Sequence, residues 1–137
     1  MHHDTVSLIE QLTQATEGLT FLSESDSLVA VFSLEGAGKK ALTAQDIRTA
    51  GNYPPNVPVK KIDFQEFVAN ATQEHDWDGP EERATARRFQ ALLCLLTEHL
   101  RDLQGFKVGK KIEYDVYVVG RTAAGDFAGV STKIVET

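Results

Sequence analysis

Apolar residues recur along this chain with two different periods, and the change of period predicts its elements. Leu8, Ile9, Leu12, Ala15, Thr16 and Leu19 follow i, i+1, i+4, i+7, i+8, i+11 spacing, which gives a helix one inward face, with Gly18 as its C-terminal stop. Thr20 to Ser27 then reads as a polar loop with Ser23-Glu24-Ser25-Asp26 at its centre. Leu28 to Glu35 is rich in β-branched and aromatic residues, a strand ended by Gly36-Ala37-Gly38. Thr43 with Asp46 three residues on has the form of a capping box for a short helix closed by Gly51. Asn52 to Pro58 holds all but one of the 4 prolines and is loop or extended chain. Asp63 caps a further helix whose buried face is Phe64, Phe67, Val68 and Ala71.

A second acidic loop, Gln73 to Gly79, precedes the longest helix. Pro80 suits its first position, and Glu81 and Glu82 suit the positive end of its dipole. The stripe Phe89, Leu92, Leu93, Leu96, Leu100 and Leu103 carries that helix past His99 and Arg101 to a stop at Gly105. The period then falls to two. Ile112, Tyr114, Val116 and Val118 alternate with Glu113, Asp115, Tyr117 and Val119, and a turn near Ala123 to Asp126 returns the chain along Phe127 to about Val135. Helices on a mostly antiparallel sheet with a C-terminal β-hairpin predict an α+β fold in up to three layers. No repeat, low-complexity tract or long linker divides the chain, so residues 1–137 read as a single domain. The C-terminus is expected to be held by the last strand rather than to trail.

Composition narrows the class. The net charge is −6, opposite to the basic surface of most nucleic-acid binders, so no direct nucleic-acid ligand is expected. Such a charge serves solubility, or attraction to a basic cleft on another protein. One cysteine excludes an internal disulfide. There is no secretory pattern, and the longest apolar run, Ala91 to Leu96, is too short to cross a bilayer. The expectation is a cytoplasmic protein with no membrane contact.

Catalytic patterns fail in turn. Gly36-Ala37-Gly38-Lys39-Lys40 departs from a phosphate loop, because Ser33 stands where the first Gly belongs and Lys40 where the magnesium-binding Ser or Thr belongs. Asp63 and Glu66 are a carboxylate pair, better explained as a helix cap. His2, His3, His75 and His99 are scattered and Cys94 has no ligand partner, so no zinc signature exists and no cofactor of its own is expected. Cys94 sits among Leu92, Leu93, Leu95 and Leu96, which predicts inert core packing. Two features stay open on the residues alone. Trp77 either folds over the core or anchors an interface. Glu24 is either a solvated loop residue or a presented charge.

Phe21-Leu22-Ser23-Glu24-Ser25, Asp76-Trp77, Asp115-Val116-Tyr117-Val118 and the ending Gly129 to Thr137 together resemble the cyanobacterial nuclease A inhibitor family. The resemblance is colinear from the first helix to the last residue, although Gly36 to Lys61 matches less closely. It implies an α/β/α sandwich around a mostly antiparallel sheet. It also implies no enzymatic activity, but inhibition of a sugar-nonspecific, magnesium-dependent DNA/RNA endonuclease by a monomer in a 1:1 complex. Glu24 would enter the nuclease site in place of the scissile phosphate. Thr137 would reach the magnesium, which belongs to the nuclease. Asp76 and Trp77 would form a second contact patch. The alternative is a non-catalytic module on the same fold that binds another basic partner.

Overall fold

The first apolar stripe folds into α1 (His3–Thr16), with Leu8 and Leu12 buried. The chain leaves it through Gly18 at φ +68°, a left-handed conformation that a Cβ would disfavour. This computed structural model describes residues 2–23, 26–110 and 112–136, so Glu24 and Thr137 lie outside the described residues. After α1 come β1 (Thr20–Leu22), β2 (Asp26–Leu28), β3 (Ala30–Leu34), α2 (Ala44–Ala50), β4 (Val59–Ile62) and α3 (Phe64–Thr72). The chain then forms α4 (Pro80–His99), β5 (Arg101–Val108), β6 (Glu113–Arg121) and β7 (Phe127–Val135).

Five strands form one antiparallel sheet in the order β3-β7-β6-β5-β4, and β1 and β2 pair separately. The predicted C-terminal hairpin is present, its register running from Glu113↔Val135 to Arg121↔Phe127. Both faces of the sheet are covered. Val116, Val118, Ala128, Val130 and Ile134 pack on one face against Leu8, Leu12, Phe89, Leu92 and Leu96 of α1 and α4. On the other face Phe106, Val108, Tyr117, Val119 and Phe127 pack against Leu42 and Ile47 of α2 and its approach. Helices therefore flank the sheet on both sides, in the three layers expected. β6 buries both its faces, which is why it reads Val-Tyr-Val-Val and not apolar-in, polar-out.

The Asp115-Val116-Tyr117-Val118 segment has a structural task. The Tyr53 hydroxyl donates to Asp115 at 2.5 Å and lies 2.6 Å from the Tyr117 hydroxyl, which pins the proline-rich loop onto the sheet. Burial, and then the Asp115 carboxylate, push the Tyr53 hydroxyl above its ordinary pKa, so the bond persists at neutral pH.

Local capping follows the sequence closely. Thr43 and Asp46 form a complete capping box on α2. Asp63 accepts from the amides of Gln65 and Glu66 at the start of α3.

Four expectations need correction. The Thr20–Ser27 loop is a small hairpin, with Phe21 paired to Ser27 and Leu28 belonging to β2, so the next strand starts only at Ala30. Phe21 drives this by stacking on Phe67 at 4.6 Å and meeting Phe89 edge-on at 5.9 Å. The long helix stops at His99, with Leu100 extended at φ −120°, ψ 142°, and Leu103 and Gly105 belong to β5. At Gly105 a Cβ would come within 2.9 Å of the Ile62 carbonyl, so the glycine permits close strand approach and ends no helix. β4 itself was not foreseen. Its Val-Lys-Lys-Ile sequence has no alternation, and the two lysines suit an exposed sheet edge. Finally, Cys94 is exposed, because the helical period buries Leu92 and Leu96 and turns the position between them outward.

Candidate functional site

Two of the four predicted contact residues fall within the described chain. Asp76 and Trp77 form a turn between α3 and α4, and both are exposed. Trp77 is 81% accessible, which settles its choice against folding over the core. It is not loose, however. The His75 ring stacks on it at 4.5 Å with an interplanar angle of 21°. The His75 amide donates to Asp78 Oδ2 at 2.8 Å, and the Asp78 amide returns to the His75 carbonyl at 3.0 Å.

Three side chains on one face of α4 hold this turn. Gln90 donates to the Thr72 carbonyl at 2.7 Å, capping the end of α3. Arg87 donates to Glu74 at 3.1 Å. The Arg83 guanidinium donates to the carbonyls of His75 at 2.9 Å, Asp78 at 3.1 Å and Asp76 at 3.3 Å. Residues 83, 87 and 90 recur at i, i+4, i+7, a polar stripe beside the apolar one. The sequence reading passed over them because they resemble a solvated helix face. Their spacing was the available signal.

The β1–β2 hairpin is tied to β7 at both ends. The Ser23 hydroxyl accepts from the Val135 amide at 3.0 Å, and Thr132 donates to the Leu28 carbonyl at 3.1 Å. The Glu136 amide bonds the Ile112 carbonyl at 2.9 Å, and Lys107 reaches the Glu136 carboxylate at 2.7 Å. The residues that precede Glu24 and Thr137 in sequence are thus joined through Ser23 and Val135.

Between the hairpin, the Trp77 turn and the end of β7 lies a groove of about 680 Å³. Asp26, Asp78, Glu81, Glu82 and Glu136 line it; among the described residues no lysine or arginine does, although Lys107 pairs with Glu136 at its margin. Its apolar lining includes Phe21, Phe67, Phe89 and Ile134, and of that lining Leu22, 73% exposed, and Trp77 are the exposed large side chains. Among the described residues, no group of three His, Cys, Asp or Glu side chains could hold a metal ion. No helix is long and apolar enough to cross a membrane.

An acidic concave face, rimmed by a braced exposed tryptophan on an α+β scaffold, has the form of a protein-recognition surface. The chain belongs to the nuclease A inhibitor-like family: residues 6–137 match the family described as nuclease A inhibitor-like protein. It has no significant match among curated proteins.

Proposed function

We propose that this protein inhibits a sugar-nonspecific, magnesium-dependent DNA/RNA endonuclease by occupying its active site as a 1:1 complex. Family membership supports the inhibitory role. One observation supports the site more than any other: the Val135 amide bonds Ser23, so the segments leading to Glu24 and Thr137 meet beside one acidic groove.

The chemistry is that of a phosphate mimic. A nuclease cleft is built for a polyanion, and a carboxylate from Glu24 would engage the cationic groups that otherwise hold phosphate. Thr137 would offer an oxygen to the nuclease's magnesium, which prefers hard oxygen donors. Trp77 and Asp76 would dock outside the metal site, with Trp77 burying its exposed ring as an anchor. Arg83 acts through that turn: by fixing three carbonyls it orders Asp76 and Trp77 before contact, which lowers the entropy lost on binding.

The decisive experiment titrates the protein into a nonspecific endonuclease of the ββα-metal type, including the one from its own source organism. Loss of DNA and RNA cleavage at equimolar protein is the expected result. Undiminished cleavage by both nucleases at micromolar protein would overturn the proposal. One residue added after Thr137 should weaken inhibition strongly, and unchanged inhibition would reject the metal contact.

A further inference from the structure

At the other end of β7 the charge reverses. The Gly36–Lys40 loop, the start of β5 and the β6–β7 turn form an open pocket of about 490 Å³ lined by Lys39, Lys40, Arg101 and Arg121. On a chain of net charge −6, four cations in one pocket call for a physical reason.

Arg101 and Arg121 are direct cross-strand partners in the register of β5 and β6. Like charges in that arrangement, with Cβ atoms about 5 Å apart, repel and destabilise the sheet. The repulsion is only partly relieved. Asp102 approaches Arg121 at 3.7 Å, and Asp46 pairs with Lys39. Arg101 and Lys40 have no acidic partner among the described residues. Asp126 also lines the cavity, but its carboxylate is buried and already accepts from Thr5 at 2.7 Å, His2 at 2.9 Å and the Gly36 amide at 3.1 Å.

The backbone is distorted at the same place. β5 is bulged between Arg101 and Gln104, with Asp102 at φ +53°. In the facing loop Ala37 lies at φ +49°. Among the described residues these are two of the three non-glycine residues in the left-handed region, which costs each about 1 kcal/mol or more. The bulge aims side chains that a regular ladder would place elsewhere.

We propose that this pocket binds a small anion carrying two or more phosphoryl groups. The Arg121 guanidinium donates to the Lys40 carbonyl at 3.3 Å as well as facing Asp102, which holds it in place beside the Arg101 guanidinium. Arg101 can grip a tetrahedral oxyanion in a bidentate way, while Arg121 and the facing lysines add charge across the pocket. A space of about 490 Å³ is larger than one phosphoryl group needs. A nucleic-acid backbone is disfavoured by the net charge. The site lies away from the acidic groove, so it stands or falls independently of nuclease inhibition.

Inorganic pyrophosphate is the probe, titrated into uniformly ¹⁵N-labelled protein at low ionic strength, with chloride at matched ionic strength as control. Saturable shifts confined to the amides of residues 36–40 and 121–126 are expected, with orthophosphate weaker by about threefold or more. Arg101→Gln and, separately, Lys40→Gln should each weaken pyrophosphate by about fivefold. In the absence of pyrophosphate Arg101→Gln should leave the protein as stable or slightly more so, because a repulsion is removed. Equal shifts in chloride, shifts spread over the surface, or full affinity in both variants would overturn the proposal. Tighter binding of a short single-stranded oligonucleotide at the same amides would overturn it in favour of a nucleic-acid backbone.

Discussion

β7 runs nine residues, about 30 Å at 3.3 Å per residue, between two surfaces built on opposite plans. At its C-terminal end five acids line an open groove, and exposed turns are held by side chains that donate to backbone carbonyls. At its N-terminal end four cations line an open pocket whose wall is organised by one buried carboxylate, Asp126. The acidic end presents its charged groups and Trp77 outward, above a floor of core residues that includes Phe21, Phe89 and Ile134. The basic end ties α1, β3 and the β6–β7 turn together. On the proposed function, recognition and stability would be separated along one strand. Substitutions at the acidic end should change inhibition at nearly constant stability, whereas those around Asp126 should do the reverse.

The largest break in that separation is expected at Glu24. Glu24→Gln keeps the shape and removes the charge, and should raise the inhibition constant more than about a hundredfold, roughly 3 kcal/mol. A contact role with no part in packing predicts a melting temperature unchanged within a degree or so, a stability change of about 0.5 kcal/mol at most. Next comes Trp77→Ala, which should cost about 2 kcal/mol of inhibition as an interface anchor. Arg83→Lys keeps the charge but cannot span three carbonyls, and should cost about 1 kcal/mol in the native background. In a Trp77→Ala background the same change should cost almost nothing if Arg83 acts through the tryptophan. Equal costs in both backgrounds would assign Arg83 a general structural role.

Much of this division could be read from the chain, but unevenly. Helix starts were legible because Thr43, Asp63 and Pro80 carry local signals that need no tertiary partner. The C-terminal hairpin was legible from its alternation. The passage from α4 to β5 was not. Leu100 and Leu103 continue the helical stripe by spacing, and only pairing with β6 makes Arg101–Val108 a strand. Lys60 and Lys61 hid β4 because edge strands need no apolar alternation. At the candidate site, Glu24, Asp76, Trp77 and Thr137 came from colinear resemblance, since composition alone left Glu24 a surface carboxylate. The braces Arg83, Arg87 and Gln90 were missed because backbone carbonyls, their targets, leave no trace in a sequence. The basic pocket was glimpsed as a failed phosphate loop, and Arg101 and Arg121, distant in sequence, were joined to it only by strand register.

Asp126 tests the other half of the comparison. Burial alone would push its carboxyl up, but hydrogen bonds from His2, Thr5 and the Gly36 amide outweigh that and hold it well below the usual carboxylate range. A group whose pKa is depressed on folding contributes stability that is fully present above its unfolded value, about 3.9. That contribution is lost as pH falls from there toward the folded value. Asp126→Asn should therefore lower stability at neutral pH by about 2 kcal/mol and flatten the decline below about pH 4. Inhibition measured below the new melting temperature should be unchanged. A variant that melts normally but inhibits poorly would show that the two ends are coupled.

The smallest effect is expected from the groove's acids outside the direct contacts. Glu81 and Glu82 sit in the first turn of α4, are exposed, and line the groove below Trp77. Neutralising both, Glu81→Gln with Glu82→Gln, removes two charges from the field that meets a cationic cleft. Such rim charges steer encounter more than they hold the complex. The association rate should fall about three- to fivefold at low ionic strength, and the difference should shrink as the Debye length drops to about 8 Å near physiological salt. The dissociation rate should hardly move. The two glutamates also favour the positive end of the α4 dipole, so a stability loss of about 0.5 kcal/mol is expected alongside. Stopped-flow association at several salt concentrations separates the two. A rate change that ignores salt would mean that these acids touch the partner directly, and the groove would then be part of the contact surface and not only its field.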